Sequence, residues 1–530
     1  MDSRRTRRIK SLAKIASPSE AGPSAAGPSA AGPSASAAGP IVAVPSKAGP
    51  SASKRSGTKR KRSSKPGSKK WFSDEMTKSP SPVKSPSPVK SPSPGSSTKR
   101  NAANKIINFF RQTQHTRKAR FLESICSDAG VCLAFGRHAD DIKKHFGGFT
   151  GFDYVVSPIK RIGNPSENGF INQIEYEHRG YKSYAILKSA KTPEADNLLY
   201  EYIVGQFINR LNKQFPCFLE TYGYYMYQKD KYWKRLQKDK PVTDISILKK
   251  GLTYLKDVDY YYGCKSSQQI AILIQHLKNI QSLDDMSREP DFIENDLMWV
   301  LFQLYIPLAK LKNYFTHYDL HLNNIYLYEP VPGKYIQYHY FLTKTNKISF
   351  KSSYMLKIID YGRSYFKDDY NGVDSKKIYA DICAEDECNE PADERGTCGS
   401  RVGFGWLANL TRKPADQFYI SAQRKNVSHD LLPLTRIKEN NTAPRPNMLT
   451  PDLDALVNQV VYLDYFGTKE RIQTGAPGFI LSVSDAAKHI AGYVASDAYR
   501  RKNDDVYAGK TKLGDLFVYM NGKPMEFRPA

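Results

Sequence analysis

The segment from His317 to Asn324, His-Tyr-Asp-Leu-His-Leu-Asn-Asn, constrains this chain more than any other stretch. It places the carboxylate of Asp319 and the carboxamide of Asn324 five residues apart, directly after a long apolar segment. Further along, a β-branched run ends in Asp360. Carboxylate and carboxamide oxygens are ligands that suit Mg²⁺, and a carboxylate can also accept a proton from a hydroxyl. The pattern therefore favours phosphoryl transfer, with Asp319 catalytic and with Asn324 and Asp360 both catalytic and metal-binding.

Residues 1–103 differ in composition from the rest of the chain. They are rich in Ser, Pro, Ala, Gly, Lys and Arg and contain few large apolar side chains. Such a segment cannot bury enough surface to offset its ordering entropy, so we expect a disordered, basic, low-complexity tail. Residues 1–100 hold 21 Lys and Arg against 4 Asp and Glu, which is +17 of the net charge of +26. We expect contact with a polyanion such as nucleic acid, and a solvated linker is the alternative.

The tail contains three kinds of local pattern. Ala-Gly-Pro-Ser repeats occupy residues 21–53, and a cluster of Lys and Arg at 54–62 is of the nuclear-import or nucleic-acid-binding type. Lys-Ser-Pro repeats follow from Lys78 with a period of six residues. Their Ser-Pro pairs are candidate sites for a proline-directed kinase, and phosphates there would cancel local positive charge. A passive spacer remains the alternative.

A glycine-containing loop follows the first predicted strand of the globular part, residues 154–162. The glycines of a kinase Gly-rich loop let the backbone approach phosphate groups closely. Gly163, Ser166 and Gly169 resemble that loop if one residue is inserted relative to its usual spacing. An ordinary hairpin turn is the alternative for this loop. Its position ahead of a strand that ends in Lys188 favours a nucleotide-binding role.

The strand over residues 181–188 places Lys188 where its ammonium group could reach the phosphates of a nucleotide. The next segment, residues 195–211, has apolar side chains at helical spacing and includes Glu201. We predict an ion pair between Lys188 and Glu201, with Glu194 as the second candidate.

Residues 270–274 form a continuous apolar run, which is typical of a strand buried on both faces. Gln275, His276 and Leu277 follow it, at a position that resembles the hinge of protein kinases, and this resemblance implies that they would bind the adenine of ATP through backbone groups. After Pro290 the apolar side chains recur at helical spacing, which predicts the helix that precedes the segment from His317.

The ordered set of these segments resembles protein kinases, whose catalytic loop reads H-x-D-L-x-x-x-N and is followed by D-F-G. The resemblance implies an α+β, two-lobed protein-kinase-like fold with a small β-rich N-lobe and a larger helical C-lobe. It implies ATP and Mg²⁺ as cofactors and a protein substrate, phosphorylated on Ser or Thr. The expected domains are the tail at 1–103, an N-terminal helical extension at 104–153, the N-lobe with its hinge at 154–277, and the C-lobe with a C-terminal extension at 278–530.

Two positions depart from the kinase pattern. Tyr318 replaces an Arg, so a phosphorylated activation loop has no guanidinium to bind there. His321 replaces the usual Lys, as in haspin-like kinases and aminoglycoside phosphotransferases. A small-molecule phosphotransferase of the aminoglycoside or choline-kinase type is therefore one alternative. A pseudokinase scaffold that the tail tethers to nucleic acid is another. Residues 333–353 look like an inserted hairpin.

Three segments, Phe315–His321, Ala195–Leu198 and Ile274–His276, resemble in sequence the Ser/Thr kinases of large nucleocytoplasmic DNA viruses such as iridoviruses. This resemblance implies an intracellular protein, in the host cytoplasm or nucleus, or packaged in the virion. No apolar stretch approaches the length of a membrane span, so we expect no membrane contact.

The seven cysteines are predicted to be free thiols, because no secretory signal precedes them. Cys383, Cys388 and Cys398 have a spacing that could hold Zn²⁺, but a fourth ligand is not evident, so free thiols are favoured. Acidic residues surround these cysteines and would favour a basic substrate. Asp430 resembles the aspartate that supports the catalytic loop of kinases, and His317 is predicted to be structural.

Overall fold

The computed structural model describes residues 124–127, 130–163, 169–190, 198–238, 240–257, 269–378, 425–442, 446–461 and 478–530. The predicted disordered tail lies outside these ranges, as do Ser166, Glu194 and the segment with Cys383, Cys388 and Cys398. Within the described ranges, no helix has the length and apolar character needed to cross a membrane.

The described elements alternate between strands and helices along the chain. The strands are β1 (Ser124–Cys126), β2 (Cys132–Ala134), β3 (Val155–Ile162), β4 (Gly169–His178), β5 (Tyr181–Ala190), β6 (Thr221–Tyr227), β7 (Leu252–Tyr254), β8 (Ile270–His276), β9 (Ile280–Ser282), β10 (Phe315–Thr316), β11 (Ile325–Tyr328), β12 (Lys334–Phe341), β13 (Lys347–Ser352), β14 (Met355–Ile358), β15 (Tyr365–Asp368), β16 (Val373–Asp374), β17 (Thr511–Tyr519) and β18 (Glu526–Pro529). The helices are α1 (Ala139–His145), α2 (Leu198–Leu211), α3 (Asp230–Gln237), α4 (Ser246–Gly251), α5 (Leu283–Met286), α6 (Pro290–Asn295), α7 (Leu297–Leu311), α8 (Leu432–Asn440), α9 (Pro451–Asn458), α10 (Val483–Val494) and α11 (Asp497–Val506).

The first large sheet has six antiparallel strands in the order β3-β4-β5-β8-β6-β7. Apolar and polar positions alternate in β4, whereas Ile270 to Ile274 of β8 are all buried. One face of the sheet packs on an aromatic cluster that includes Phe149 and Phe152, and α2 covers part of the other face. The continuous apolar run of β8 is explained by this burial on both sides.

The predicted N-terminal helical extension is only partly helical in its described residues. It begins with the antiparallel hairpin of β1 and β2 and continues with α1 and two one-turn 3₁₀ helices, Gly136–His138 and Gly147–Phe149. Short apolar runs do not by themselves distinguish a strand from a helix, and the pairing of β1 with β2 decided between them here. The extension is anchored to α2 and its following turn, because Lys213 forms an ion pair of 2.7 Å with Asp140.

The second half of the chain is built around α7, of whose 15 residues 13 are buried. This helix packs against α10 and against strands β10 and β14. Two three-stranded sheets, β14-β11-β9 and β10-β15-β16, carry the loops that face the first sheet. The fold of the described residues is thus mixed α and β, with a curled sheet and helices.

The hairpin predicted within residues 333–353 is present as β12 and β13. It belongs to a four-stranded sheet in the order β13-β12-β17-β18, in which β12 pairs in parallel with β17 from the end of the chain. One face of this sheet, with Tyr338 and Phe350, is buried against α7. The inserted hairpin is therefore part of the core.

The two cysteines whose state is described differ. Cys132 is disulfide-bonded, so the expectation of free thiols is wrong for this residue. Cys217 is a free, buried thiol, and burial raises its pKa to about 12. A thiol in such a setting is inert.

Candidate active site

A cavity of about 500 Å³ lies between the six-stranded sheet and the strands β9, β11 and β14. Its lining includes Gly163, Gly169 and Lys188 of the first sheet and Glu201 of α2. Asp360, which follows β14, also lines it. The remaining lining residues are Ile162, Phe170, Ile171, Ile186, Leu198, Leu219, Ile274, Gln275, His276, Leu277, Ile280, Tyr326, Lys357, Ile359 and Tyr361. Its size is in the range of pockets that bind small molecules and cofactors.

The two described glycines of the predicted loop are required for different reasons. Gly163 has a φ of +77°, a left-handed conformation that L side chains rarely adopt. At Gly169, a Cβ atom would lie 2.8 Å from the carbonyl oxygen of Ser189 on the paired strand β5. The loop between them lies outside the described residues. Gly169 therefore allows β4 to pair closely with β5, and Gly163 allows the chain to leave β3 with a positive φ.

Lys188 joins three elements of the site. Its Nζ atom lies 2.7 Å from Oε2 of Glu201 and 2.9 Å from Oδ1 of Asp360. The Glu201 side chain is only 2% exposed, so its charge requires a buried partner. The structure thus brings together Lys188 and Glu201, the pair predicted from sequence, and adds Asp360 as a second partner of the same ammonium group.

His317 is a structural residue, as its sequence position suggested. Its buried ring donates an Nε2–H hydrogen bond of 2.8 Å to the carbonyl oxygen of Ile359. The backbone N–H of Asp319 donates to Nδ1 of the same ring at 3.3 Å. One donor and one acceptor define a neutral imidazole, and burial keeps the pKa of His317 below its usual value. The ring therefore links the turn at Asp319 to the strand end before Asp360.

Asp430 accepts hydrogen bonds from the backbone of the segment from His317 to Asn324, the predicted catalytic loop. Its Oδ2 accepts the N–H of His317 at 2.8 Å, and its Oδ1 accepts the N–H of Tyr318 at 3.1 Å. Tyr318 has a φ of +63°, a strained conformation for a bulky residue. Asp430, which resembles the supporting aspartate of kinases, thus contacts a residue that lies 113 positions earlier in the sequence. Burial raises the pKa of Asp430 to about 7, although both backbone hydrogen bonds act in the opposite direction.

Asn324 and Asp360 are placed side by side by the pairing of β11 with β14. The Asn324 side chain donates to the carbonyl oxygen of Asp319 at 2.8 Å, and the backbone carbonyl oxygen of Asn324 accepts the N–H of Ile359 at 3.0 Å. Burial by itself would raise the pKa of Asp360, but the charge of Lys188 and its hydrogen bond outweigh this, so the pKa lies below its usual value. Asp360 is therefore a carboxylate at neutral pH.

The oxygen atoms of Asn324 and Asp360 fit a Mg²⁺ ion that also binds phosphate oxygens. Among the described residues, no group of three or more His, Cys, Asp or Glu side chains is arranged to hold a metal ion. Mg²⁺ in proteins is commonly held by one or two carboxylates plus substrate phosphates.

Asp319 is not among the residues that line the cavity, and 31% of its side chain is exposed. Its Oδ2 lies 3.7 Å from Nε of Arg363, which follows Asp360, Tyr361 and Gly362 in the sequence. Arg363 was not predicted from the sequence, although its position directly after Gly362 was an available signal.

Gln275, His276 and Leu277, predicted to bind adenine, line the cavity at the end of β8. The backbone N–H of Gln275 is already bonded to the carbonyl oxygen of Glu220 at 2.8 Å, so this N–H contributes to the sheet. Burial lowers the pKa of His276 to about 4, and the nearby charge of Lys278 adds to the effect. His276 is therefore neutral at physiological pH.

Lys357 is a second lysine of the cavity, and sequence reasoning did not find it. It is buried below the site, and its ammonium group donates to the carbonyl oxygens of Pro216 and Phe218. Burial lowers its pKa to about 8. Its hydrogen bonds tie β14 to the turn after α2, so we assign it a structural role.

Comparisons with known proteins add a distant likeness of fold. No known protein family and no curated protein matches the chain. A crystal structure described as the kinase domain of a Plasmodium protein is structurally similar, with a TM-score of 0.24 and 17% sequence identity. The match covers 43% of this chain and 56% of that chain, so this chain spans just over half the length of the solved kinase domain. The function proposed below rests on the site's own geometry.

Proposed function

We propose that the protein transfers a phosphoryl group from ATP, with Mg²⁺, to Ser or Thr side chains of proteins. The observation that carries this proposal is the contact of Lys188 with both Glu201 and Asp360 at a cavity of nucleotide size. A lysine placed in this way can hold phosphates while a carboxylate beside it binds the metal. Asp319 supplies the further carboxylate that such a reaction needs on the substrate side.

Each residue would contribute positioning or charge rather than covalent chemistry. Lys188 would hold phosphate oxygens of the nucleotide, and Asn324 and Asp360 would hold Mg²⁺, which neutralises phosphate charge when bound. Asp319 would orient the substrate hydroxyl and accept its proton. The bond from the γ-phosphorus to the hydroxyl oxygen forms while the bond to the bridging oxygen breaks, and ADP leaves with that electron pair.

The test is transfer of radiolabelled phosphate from ATP to a basic protein. We expect Asp319→Asn to lower the rate by about 10²–10⁴-fold, the usual contribution of a general acid or base. Asp360→Ala should abolish transfer and also remove the thermal stabilisation by ATP that requires Mg²⁺. Asp504→Asn is the matched control, because this exposed carboxylate pairs with Lys351 away from the cavity. Undiminished transfer by both site variants would refute the proposal.

A small-molecule phosphotransferase is the second candidate, and His321 is the observation that favours it. Phosphate appearing on an aminoglycoside-like or choline-like alcohol, and on no protein, would establish this alternative. A pseudokinase scaffold is the third, and it requires that the protein transfer no phosphate at all. Mg²⁺-dependent nucleotide binding without any transfer would support that reading.

The proposal extends to location and partners on the strength of sequence alone. The viral resemblance would imply a protein of the infected cell, in the cytoplasm or nucleus, or a protein packaged in the virion. The charge of residues 1–100 supports nucleic-acid binding by the tail. Comparing the full chain with a variant lacking residues 1–103, by nucleic-acid binding at two salt concentrations, would test the tail separately from catalysis.

A further inference from the structure

We propose that Arg363 is a second phosphate-binding cation of the site, which holds the transferring phosphoryl group from the side of Asp319. The inference rests on the proposed function and deepens it, because it names a residue for the step in which charge moves from ATP to the substrate. The guanidinium would act on the opposite side of the phosphoryl group from Lys188.

The position of Arg363 is fixed by its neighbours. The preceding Tyr361 is buried, and its carbonyl oxygen accepts the N–H of Ser364 at 3.1 Å. The Ser364 hydroxyl donates to the carbonyl oxygen of His317 at 3.3 Å, and its carbonyl oxygen accepts the hydroxyl of Tyr200 at 2.7 Å. Arg363 therefore projects from a turn that is bonded both to the catalytic loop and to α2.

Two cations lie beside the two predicted catalytic carboxylates. Nζ of Lys188 lies 2.9 Å from Oδ1 of Asp360, whereas Nε of Arg363 lies 3.7 Å from Oδ2 of Asp319. Arg363 and Asp319 remain accessible, with 23% and 31% of their side chains exposed. A phosphoryl group that passes from a nucleotide held by Lys188 to a hydroxyl at Asp319 would therefore come within reach of the Arg363 guanidinium.

The chemistry of the step calls for a cation on the Asp319 side. The transition state spreads negative charge over three equatorial oxygens, and a planar guanidinium can contact two of them. The loop between Asp319 and Asn324 consists of Leu, His, Leu and Asn, so it supplies no Lys or Arg. Among the ion pairs of the described residues, Arg363 provides the cation that approaches Asp319.

The experiment compares Arg363→Ala and Arg363→Lys with Arg500→Ala, a control whose ion pair with Asp497 lies on α11 outside the cavity. We expect Arg363→Ala to lower kcat by about 10²–10³-fold, the cost of removing one charge-stabilising group, and to leave KM for ATP nearly unchanged. Binding of ADP with Mg²⁺ and aluminium fluoride, which mimics the transition state, should weaken in parallel, while binding of ADP with Mg²⁺ should not. Arg363→Lys should retain part of the rate, and guanidinium ions should partly restore Arg363→Ala.

Two results would overturn the inference while the proposed function stands. One is a wild-type enzyme that transfers phosphate and an Arg363→Ala variant with kcat within a few-fold of it. The other is a rise of kcat in Arg363→Ala, which would identify Arg363 as a block on Asp319. Absence of both transfer and Mg²⁺-dependent nucleotide binding in the wild type would overturn the proposed function itself.

Discussion

Replacing Asp430 by Ala tests whether the catalytic loop is held in place by one buried carboxylate. The substitution leaves the N–H groups of His317 and Tyr318 without their acceptors, which lie at 2.8 and 3.1 Å. It also removes the anchor of Tyr318, whose φ of +63° is maintained only if its surroundings enforce it. We expect the loop to relax and Asp319 to lose its position.

The magnitude follows from the two hydrogen bonds. A buried N–H that loses its partner costs about 1–3 kcal/mol, so two such groups set an upper range of about 2–6 kcal/mol. Burial disfavours the charged form of Asp430 and raises its pKa to about 7. Removing the carboxylate therefore recovers part of the free energy spent on its desolvation. We therefore expect a net loss of about 2–4 kcal/mol in unfolding free energy. A displacement of Asp319 by about 1 Å should lower kcat by about 10²-fold.

The assay combines thermal unfolding with phosphate transfer, and Asp485→Ala is the matched control. Asp485 also accepts a backbone N–H, that of Leu481 at 3.2 Å, but it lies at the start of α10. The control should lose stability and keep its kcat when assayed well below its melting temperature. If Asp430→Ala keeps the same kcat as Asp485→Ala, the carboxylate does not position the loop, and the reasoning is refuted.

Two further predictions concern the cavity. Glu201→Gln should lower kcat/KM for ATP by about tenfold or more, about 1.4 kcal/mol, because Lys188 loses a charged partner. Glu175→Gln, which disrupts the ion pair of 2.7 Å with Lys182, should not change kcat/KM, and equal effects would contradict the prediction. Burial lowers the pKa of His276 from the unperturbed value of 6.5 to about 4 in the folded state. Between pH 6.5 and pH 4, the imidazole of His276 is therefore protonated in the unfolded chain but not in the folded protein. Stability should therefore fall as pH drops from about 6.5 to 4, and His276→Gln should reduce that slope in unfolding measurements across this range.

Local sequence patterns were sufficient for the elements whose burial is uniform or periodic. The apolar run of β8 and the helical spacing of α7 each predicted the observed element, because a strand covered on both faces and a helix at the centre of a core need such patterns. The hairpin of β12 and β13 was also predicted from the sequence. In the described part of the extension before β3, the hairpin of β1 and β2 was not predicted, since it depends on a pairing that short runs do not reveal.

The sequence by itself determined which chemical groups the site contains and their order along the chain. It named Lys188, Glu201, Asp319, Asn324 and Asp360, because the spacing of residue types carries chemical information. Only the tertiary structure decided how these groups are held: the contact of Asp430 with the catalytic loop, the parallel pairing of β12 with β17, and the approach of Arg363 to Asp319. Each depends on the packing of segments that are distant in sequence or on the path of a turn, so no local pattern specifies it.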